Sequence, residues 1–224
     1  MNSSRCKQVI AIDGPAASGK SSVARQLAKT LGFIYVNSGA MYRALTWHVL
    51  DRAVDPRDPA AVATLAERTH FETDLVDDES RILIEGYDPS SHLREVRVND
   101  AVSLVSSVPR VRELLVPRMR IYALADDVVM EGRDIGSVVF PETPFKFYVD
   151  ASPEIRSQRR AAQDQNDQIA ARDLADSSRR DSPLSVADDA EIIDTSNLSI
   201  EDVVGKILQL LRAKNLRLDR KQAE

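Results

Sequence analysis

The sequence predicts an α/β fold: a parallel sheet of five strands, flanked by helices. Three observations carry this. Four short apolar runs, "VIAI", "FIYV", "VVM" and "FKFYV", are spread along the chain, and "EIID" supplies a fifth strand. Runs this short and this uniformly apolar read as strands buried on both faces. Stretches with helical spacing of apolar residues lie between them, which argues for a sheet covered on both sides. Right-handed crossovers would then bring the strand ends to one edge, where ligands bind in such sheets.

Taken in order, Val9 to Ile12 is the first strand and runs straight into a Gly/Pro-containing loop. Val23, Leu27 and Leu31 come next at a spacing of four, the core stripe of a helix that Gly32 ends. Phe33 to Val36 is the second strand. Ser38 is positioned to cap the next helix, which carries Met41, Leu45 and Val49. "VDPRDPAAVATLAER" reads as a turn, then a helix. "HFETDLVDDESRILIEGYD" reads as two strands joined by the acidic turn "DDES", a small β insert over about residues 68–92. Helical spacing returns at Val98, Val102 and Val105, and Pro109 and Pro117 are expected to break this region into shorter helices. Val128 to Met130 is a strand ending in "EGRD"; Phe145 to Val149 is another. Ser152, Pro153 and Glu154 start a helix. The polar span from Arg156 to Ser182 reads as exposed helices on a mobile arm. Asp150, which could pass for a metal carboxylate, is read as a cap of the first of them. Ser199 and Asp202 form a capping box for the last helix, with Val203, Val204, Ile207 and Leu211 on its core face. The tail "NLRLDRKQAE" is expected to fray.

Bulk composition narrows the class. The chain has 224 residues, 43% hydrophobic and 29% charged, a globular profile for one domain with an inserted lobe. A formal charge of −5 argues against a general nucleic-acid binder, so any anion site must come from local clustering of arginine. Cys6 is the only cysteine, which excludes an internal disulfide and fits a reducing compartment. The opening residues lack a signal-peptide core, and no apolar run reaches membrane-span length. A cytoplasmic, soluble protein is expected, and a monomer, because no long exposed apolar helix face is evident.

The loop after the first strand is "GPAASGKSS": Gly14, Pro15, Ala16, Ala17, Ser18, Gly19, Lys20, Ser21 and Ser22. It satisfies G-x-x-x-x-G-K-[ST] between a buried strand and a helix, the context that makes the pattern a phosphate cradle. Glycine permits the twists that turn successive N–H groups toward one anion, and the helix start adds its positive dipole end. Lys20 should reach the β and γ phosphates, and the Ser21 hydroxyl should ligate Mg²⁺. A regulatory GTPase would need the guanine-reading N-K-x-D motif, which is missing. A large ATPase would need more chain. A small phosphotransferase is the best reading.

Such an enzyme holds two polyanions together, so it needs arginines from outside the loop. The candidates are Arg43, Arg110, Arg133, Arg172 and Arg179, placed near strand ends, at helix starts or seven residues apart in the polar arm. His48, His70 and His92 lack metal-ligand spacing.

Together, "IAIDGPAASGKSS", "SGAMYRAL", "VPRVRELL", "EGRDIGSVVFPETPFKFYVDAS", "RDLADSSRRDSPL" and "DTSNLSIEDVV" make the chain resemble the bacterial cytidylate (CMP/dCMP) kinases, within the nucleoside monophosphate kinases. The matches keep the family's order over nearly the whole chain. The resemblance implies a P-loop nucleoside monophosphate kinase fold with the β insert in the acceptor-binding lobe and a helical lid. The core would take about 1–50, 120–152 and 185–214, the acceptor-binding lobe about 51–119, and the lid about 153–184. It implies that Ser103, Arg110 and Asp134 read cytosine, and that Arg43, Arg133, Arg172 and Arg179 grip the acceptor phosphate and the transferred group. Lys20, Arg133, Arg172 and Arg179 would then be the catalytic set. Asp176, with Ser38, would contact the sugar. Arg156, Arg159 and Arg160 fall on the lid helix, where closure over ATP and plain solvation are both open. UMP or AMP as acceptor, or a non-catalytic nucleotide-binding module, are the alternatives. One departure stands out: Asn37 precedes "SGA" where the family commonly has an acidic residue. Asn can still cap a turn, but it removes a negative charge near the phosphates.

Overall fold

The computed structural model describes residues 7–162, 169–179 and 182–217. The five expected strands are present and parallel. They are β1 (Val9–Asp13), β2 (Ile34–Asn37), β5 (Val128–Gly132), β6 (Phe145–Asp150) and β7 (Glu191–Asp194). Central β1 pairs with β5 on one side and β6 on the other. Its residues alternate between two cores. Ile10 and Ile12 face the helices α1 (Lys20–Leu31) and α8 (Ile200–Ala213), whereas Ala11 faces the layer containing α2 (Ser38–Asp51). That period of two on a sheet buried on both faces is why these strands read as unbroken apolar runs. Ile10, Ile12 and Leu27 are fully buried, each worth about 1.5–3 kcal/mol relative to exposure.

The sheet has seven strands, not five, in the order β3-β4-β2-β5-β1-β6-β7. The β insert forms as a hairpin, β3 (Phe71–Val76) and β4 (Glu79–Ile84), turning at Asp77 and Asp78 with φ of 52° and 60°. It does not stand apart. Tyr35 N–H donates to the Asp78 carbonyl at 2.8 Å, and Tyr35 pairs with Glu79. The free edge of β2 would otherwise expose unpaired backbone groups, and the hairpin covers it.

Between hairpin and β5 lie α4 (Val96–Ser106) and α5 (Pro109–Ala125); α3 (Pro59–Arg68) precedes the hairpin. Pro109 starts α5 as expected, but Pro117 does not break it. The helix runs through, with Val111, Leu115, Met119 and Tyr122 buried on one face, so packing outweighs one lost backbone bond. The Ser199–Asp202 capping box, the left-handed Gly32 cap and the Ser152 cap of α6 (Pro153–Ala161) all form. Two expected caps differ. Asn37, not Ser38, caps α2, its side chain accepting from Ala40 N–H at 2.9 Å. Asp150 does not cap α6; its carbonyl takes the Thr195 N–H at 2.8 Å. Of the tail expected to fray, Arg217 is held, its N–H donating to Gln8 Oε1 at 2.8 Å, and the residues after it lie outside the described residues. Cys6 lies outside the described residues.

Candidate active site

The donor loop is built by backbone. Gly14 has φ of 154°, and a Cβ there would sit 2.0 Å from the Val149 carbonyl oxygen, so β6 passes too close for any side chain. Gly19 caps α1 in the left-handed region at φ 91°, and Ala17 is left-handed at φ 58°. These twists curl the loop around the start of α1, where the positive end of the helix dipole favours an anion. Lys20 is buried, its Nζ donating to the Pro15 carbonyl at 2.9 Å across the loop. Ser18 is fully buried and its carbonyl accepts from Thr195 Oγ1 at 2.8 Å, which ties the loop to the end of β7.

The second half of the site is built from side chains. One cavity is lined by Lys20 and Ser21 from the loop, by Ser38 and Arg43 from α2, and by Ser103 from α4. Arg133, Asp134, Asp176 and Arg179 line it too. Asp176, on α7 (Ile169–Ser177), is 2% exposed, and its carboxylate gathers this wall. It accepts from Arg133 Nε at 2.9 Å and Ser103 Oγ at 3.2 Å, and it pairs with Arg179 Nη2. Arg133 Nη1 also donates to the Gly14 carbonyl at 3.0 Å, so one guanidinium spans both halves. A buried ion network of this kind is costly to break, because the partner left behind is an uncompensated charge.

Arg110 is not in this cavity. It opens α5, stands exposed, and pairs with Glu67 at 2.6 Å and Glu113 at 2.8 Å. Arg112 takes the place expected of it. Two residues further along a helix is about 200° of rotation, which turns Arg112 inward while Arg110 faces out. Arg112 is buried, lies over the Tyr42 ring with its Cζ 5.4 Å from the centroid, and forms an ion pair with Asp134. Helical phase could have found it: Val111 and Leu115 mark the buried face, and Arg112 adjoins it. Tyr42 and Ser106 also line the cavity, outside the set of site residues that the sequence predicts. Ser38 lines it with its hydroxyl donating to the Glu131 carbonyl at 2.7 Å. The Arg172 side chain lies outside the described residues; its backbone is within α7.

The arm is less free than its polarity suggests. Arg156 pairs with Asp173, and Asp173 accepts from the Ala16 N–H at 3.1 Å. Arg159 donates to the Ser18 carbonyl at 3.2 Å and the Thr195 carbonyl at 2.8 Å. Arg160 lines two cavities that share Ala17, Lys20 and Ser21 of the donor loop. Among the described residues, the arm therefore docks on the donor loop through charge-assisted bonds.

Burial shapes the electrostatics. It pushes the Asp134 carboxyl up, and the Arg112 guanidinium beside it opposes that shift. It lowers Arg179, against the pull of Asp176. Asp13, at the root of the donor loop, is pushed up to about 7 by burial, although Gly136 and Ile135 N–H groups each donate to it at 2.8 Å. Those amides open the π-helical turn Ile135–Val139, so Asp13 joins the donor loop to the segment bearing Asp134. Asn37 bridges differently: its amide donates to Tyr35 Oη at 3.3 Å, and Tyr35 donates to Glu131 Oε1 at 3.0 Å.

Comparison with known proteins gives the family. The family model "Cytidylate kinase" matches residues 10–213. A cytidylate kinase of Caldanaerobacter subterraneus subsp. tengcongensis is 41% identical over 214 residues, covering 91% of this chain and 94% of its own. One of Rhodococcus jostii is 44% identical over 217 residues, covering 92% and 95%. Similarity of this extent, spanning the donor loop and the arginine-lined wall alike, places the chain in the cytidylate kinase family.

Proposed function

We infer that the chain transfers the γ-phosphoryl group of ATP to CMP and dCMP, giving ADP with CDP or dCDP. The observation that carries this reading is that Lys20 and Ser21 line the same cavity as Arg133, Asp134 and Arg179. Donor and acceptor phosphates would meet in one space. An acceptor phosphate oxygen, already anionic, attacks the γ-phosphorus in line. The bond to the β–γ bridging oxygen breaks, and its electron pair leaves on ADP. No general base is required; positioning and cationic stabilisation carry the step.

Lys20 would hold the transferring group from the donor side, and Arg43, Arg133 and Arg179, with Arg172, from the acceptor side. Asp134 would accept from the cytosine amino group, with Arg112 in place of Arg110 donating to the ring nitrogen and carbonyl. Uracil offers a carbonyl where Asp134 needs a donor, and a buried mismatch of this kind discriminates strongly. Ser103, Ser38 and Asp176 complete the acceptor contacts, Asp176 also holding its two arginines in place. Mg²⁺ fits this donor set. It keeps several waters and binds substrate phosphates, so one protein hydroxyl, that of Ser21, suffices to anchor it; when bound, it supplies charge neutralisation on the donor phosphates. The reading includes a core, an acceptor-binding lobe and a lid as laid out from the sequence, acting as a cytoplasmic monomer. The single cysteine supports the compartment, and no described helix is long and apolar enough to cross a membrane.

A coupled ADP-release assay across CMP, dCMP, UMP and AMP tests this. CMP and dCMP are expected to lead in kcat/KM. Preference for AMP or UMP would overturn the cytosine assignment, and ATP binding without acceptor-dependent turnover would reduce the chain to a binding module.

A further inference from the structure

Ser106 is buried in the last turn of α4, lines the acceptor cavity, and does two things at once. Its hydroxyl donates to the Val102 carbonyl one turn back at 2.6 Å. With its one proton committed there, the oxygen has only lone pairs to offer any other partner. Arg179 Nη2 takes that position at 2.8 Å and pairs through the same nitrogen with Asp176. Two acceptors from different elements, α4 and α7, therefore fix one corner of the guanidinium. Arg179 Nε, by contrast, is buried and has no hydrogen-bond partner among the described residues. A buried donor left unsatisfied is costly unless a ligand completes it, and an anionic oxygen is the ligand a guanidinium edge matches best.

We propose that Ser106 is a positioning residue for phosphoryl transfer: it holds Arg179 to the acceptor helix so that the unpartnered Nε is presented to the acceptor phosphate. The inference rests on the reading of Arg179 as a phosphate-gripping residue and deepens it. Ser106 does not touch the reacting atoms. It also ties α4 to the arm, so the arginine is set only when these two elements are docked.

Ser106→Ala separates this from a structural role. Alanine is the better helix former, so a purely local effect would leave the melting temperature equal or raised. The expected result is a fall of about tenfold or more in kcat/KM for CMP, from loss of one hydrogen bond to a charged group, with KM for ATP unchanged. A double-mutant cycle with Arg179→Ala closes the test. Ser106→Ala is expected to add nothing once Arg179 is gone. If Arg179→Ala impairs turnover while Ser106→Ala costs nothing, or costs the same in both backgrounds, the positioning role is overturned and the reading of Arg179 stands. If Arg179→Ala itself leaves kcat/KM intact, the reading beneath it fails first, and the proposal with it.

Discussion

The donor loop and the acceptor wall solve the same problem, holding phosphate, in opposite ways. The loop is one contiguous stretch, and its shape is set by backbone twists at Ala17 and Gly19 and by the close passage of β6 past Gly14. The wall is assembled from α2, α4, α5, β5 and α7, and its shape is set by ion pairs among Arg112, Asp134, Arg133, Asp176 and Arg179. A backbone cradle has few ways to vary, because φ and ψ are its only soft variables. A side-chain wall depends on helix phase and docking, so a two-residue offset changes which arginine belongs to it. The two are joined where Arg133 reaches the Gly14 carbonyl and where Asp13 takes the amides of Ile135 and Gly136.

Substitutions put this contrast between loop and wall at risk. The largest effect is expected at the join. Arg133→Ala should lower kcat by about 100- to 1000-fold, the scale of losing one preorganised donor to the transition state, while ATP affinity measured by titration calorimetry stays nearly intact. Loss of ATP affinity in step with kcat would mean that the halves are not separable. An intermediate effect is expected from helix phase. Arg112→Lys keeps the charge but loses the planar fork, and should raise KM for CMP by about 10- to 100-fold, the worth of a charge-assisted bond. Arg110→Ala, whose ion-pair partners among the described residues are the exposed Glu67 and Glu113, should change it less than about twofold. The reverse order in steady-state kinetics would restore Arg110 to the site. The smallest effect is expected at Asn37. Asp caps a helix as well as Asn does, so Asn37→Asp should keep kcat/KM within about threefold. Loss of most activity would show that the amide donation to Tyr35 is required.

Much of the fold is legible in the sequence because its signals are local. The strands stand out as apolar runs, and Gly32, Ser152 and the Ser199–Asp202 box mark helix ends through hydrogen bonds made within a turn. The departures share a cause. Pro117 obeys a local rule that packing along Val111, Leu115 and Met119 overrides. The hairpin reads as an insert because nothing in its own residues tells that β2 has an open edge. The arm reads as solvated because it is polar, yet its polar groups are its docking contacts: Asp173 to Ala16, Arg159 to Ser18, Asp176 to Arg133.

Sequence alone carries the five parallel strands, the donor loop with Lys20 and Ser21, and, through motifs kept in order along the chain, the membership of Arg133, Asp134, Asp176 and Arg179 in one site. Three features emerge only from the folded chain: Asp134 is the partner of the inward-facing Arg112, the hairpin extends the sheet, and Ser106 holds Arg179. Each of those depends on which face of a helix or edge of a strand meets a distant neighbour. That is fixed by the packing of the whole chain and is not written in any one segment of it.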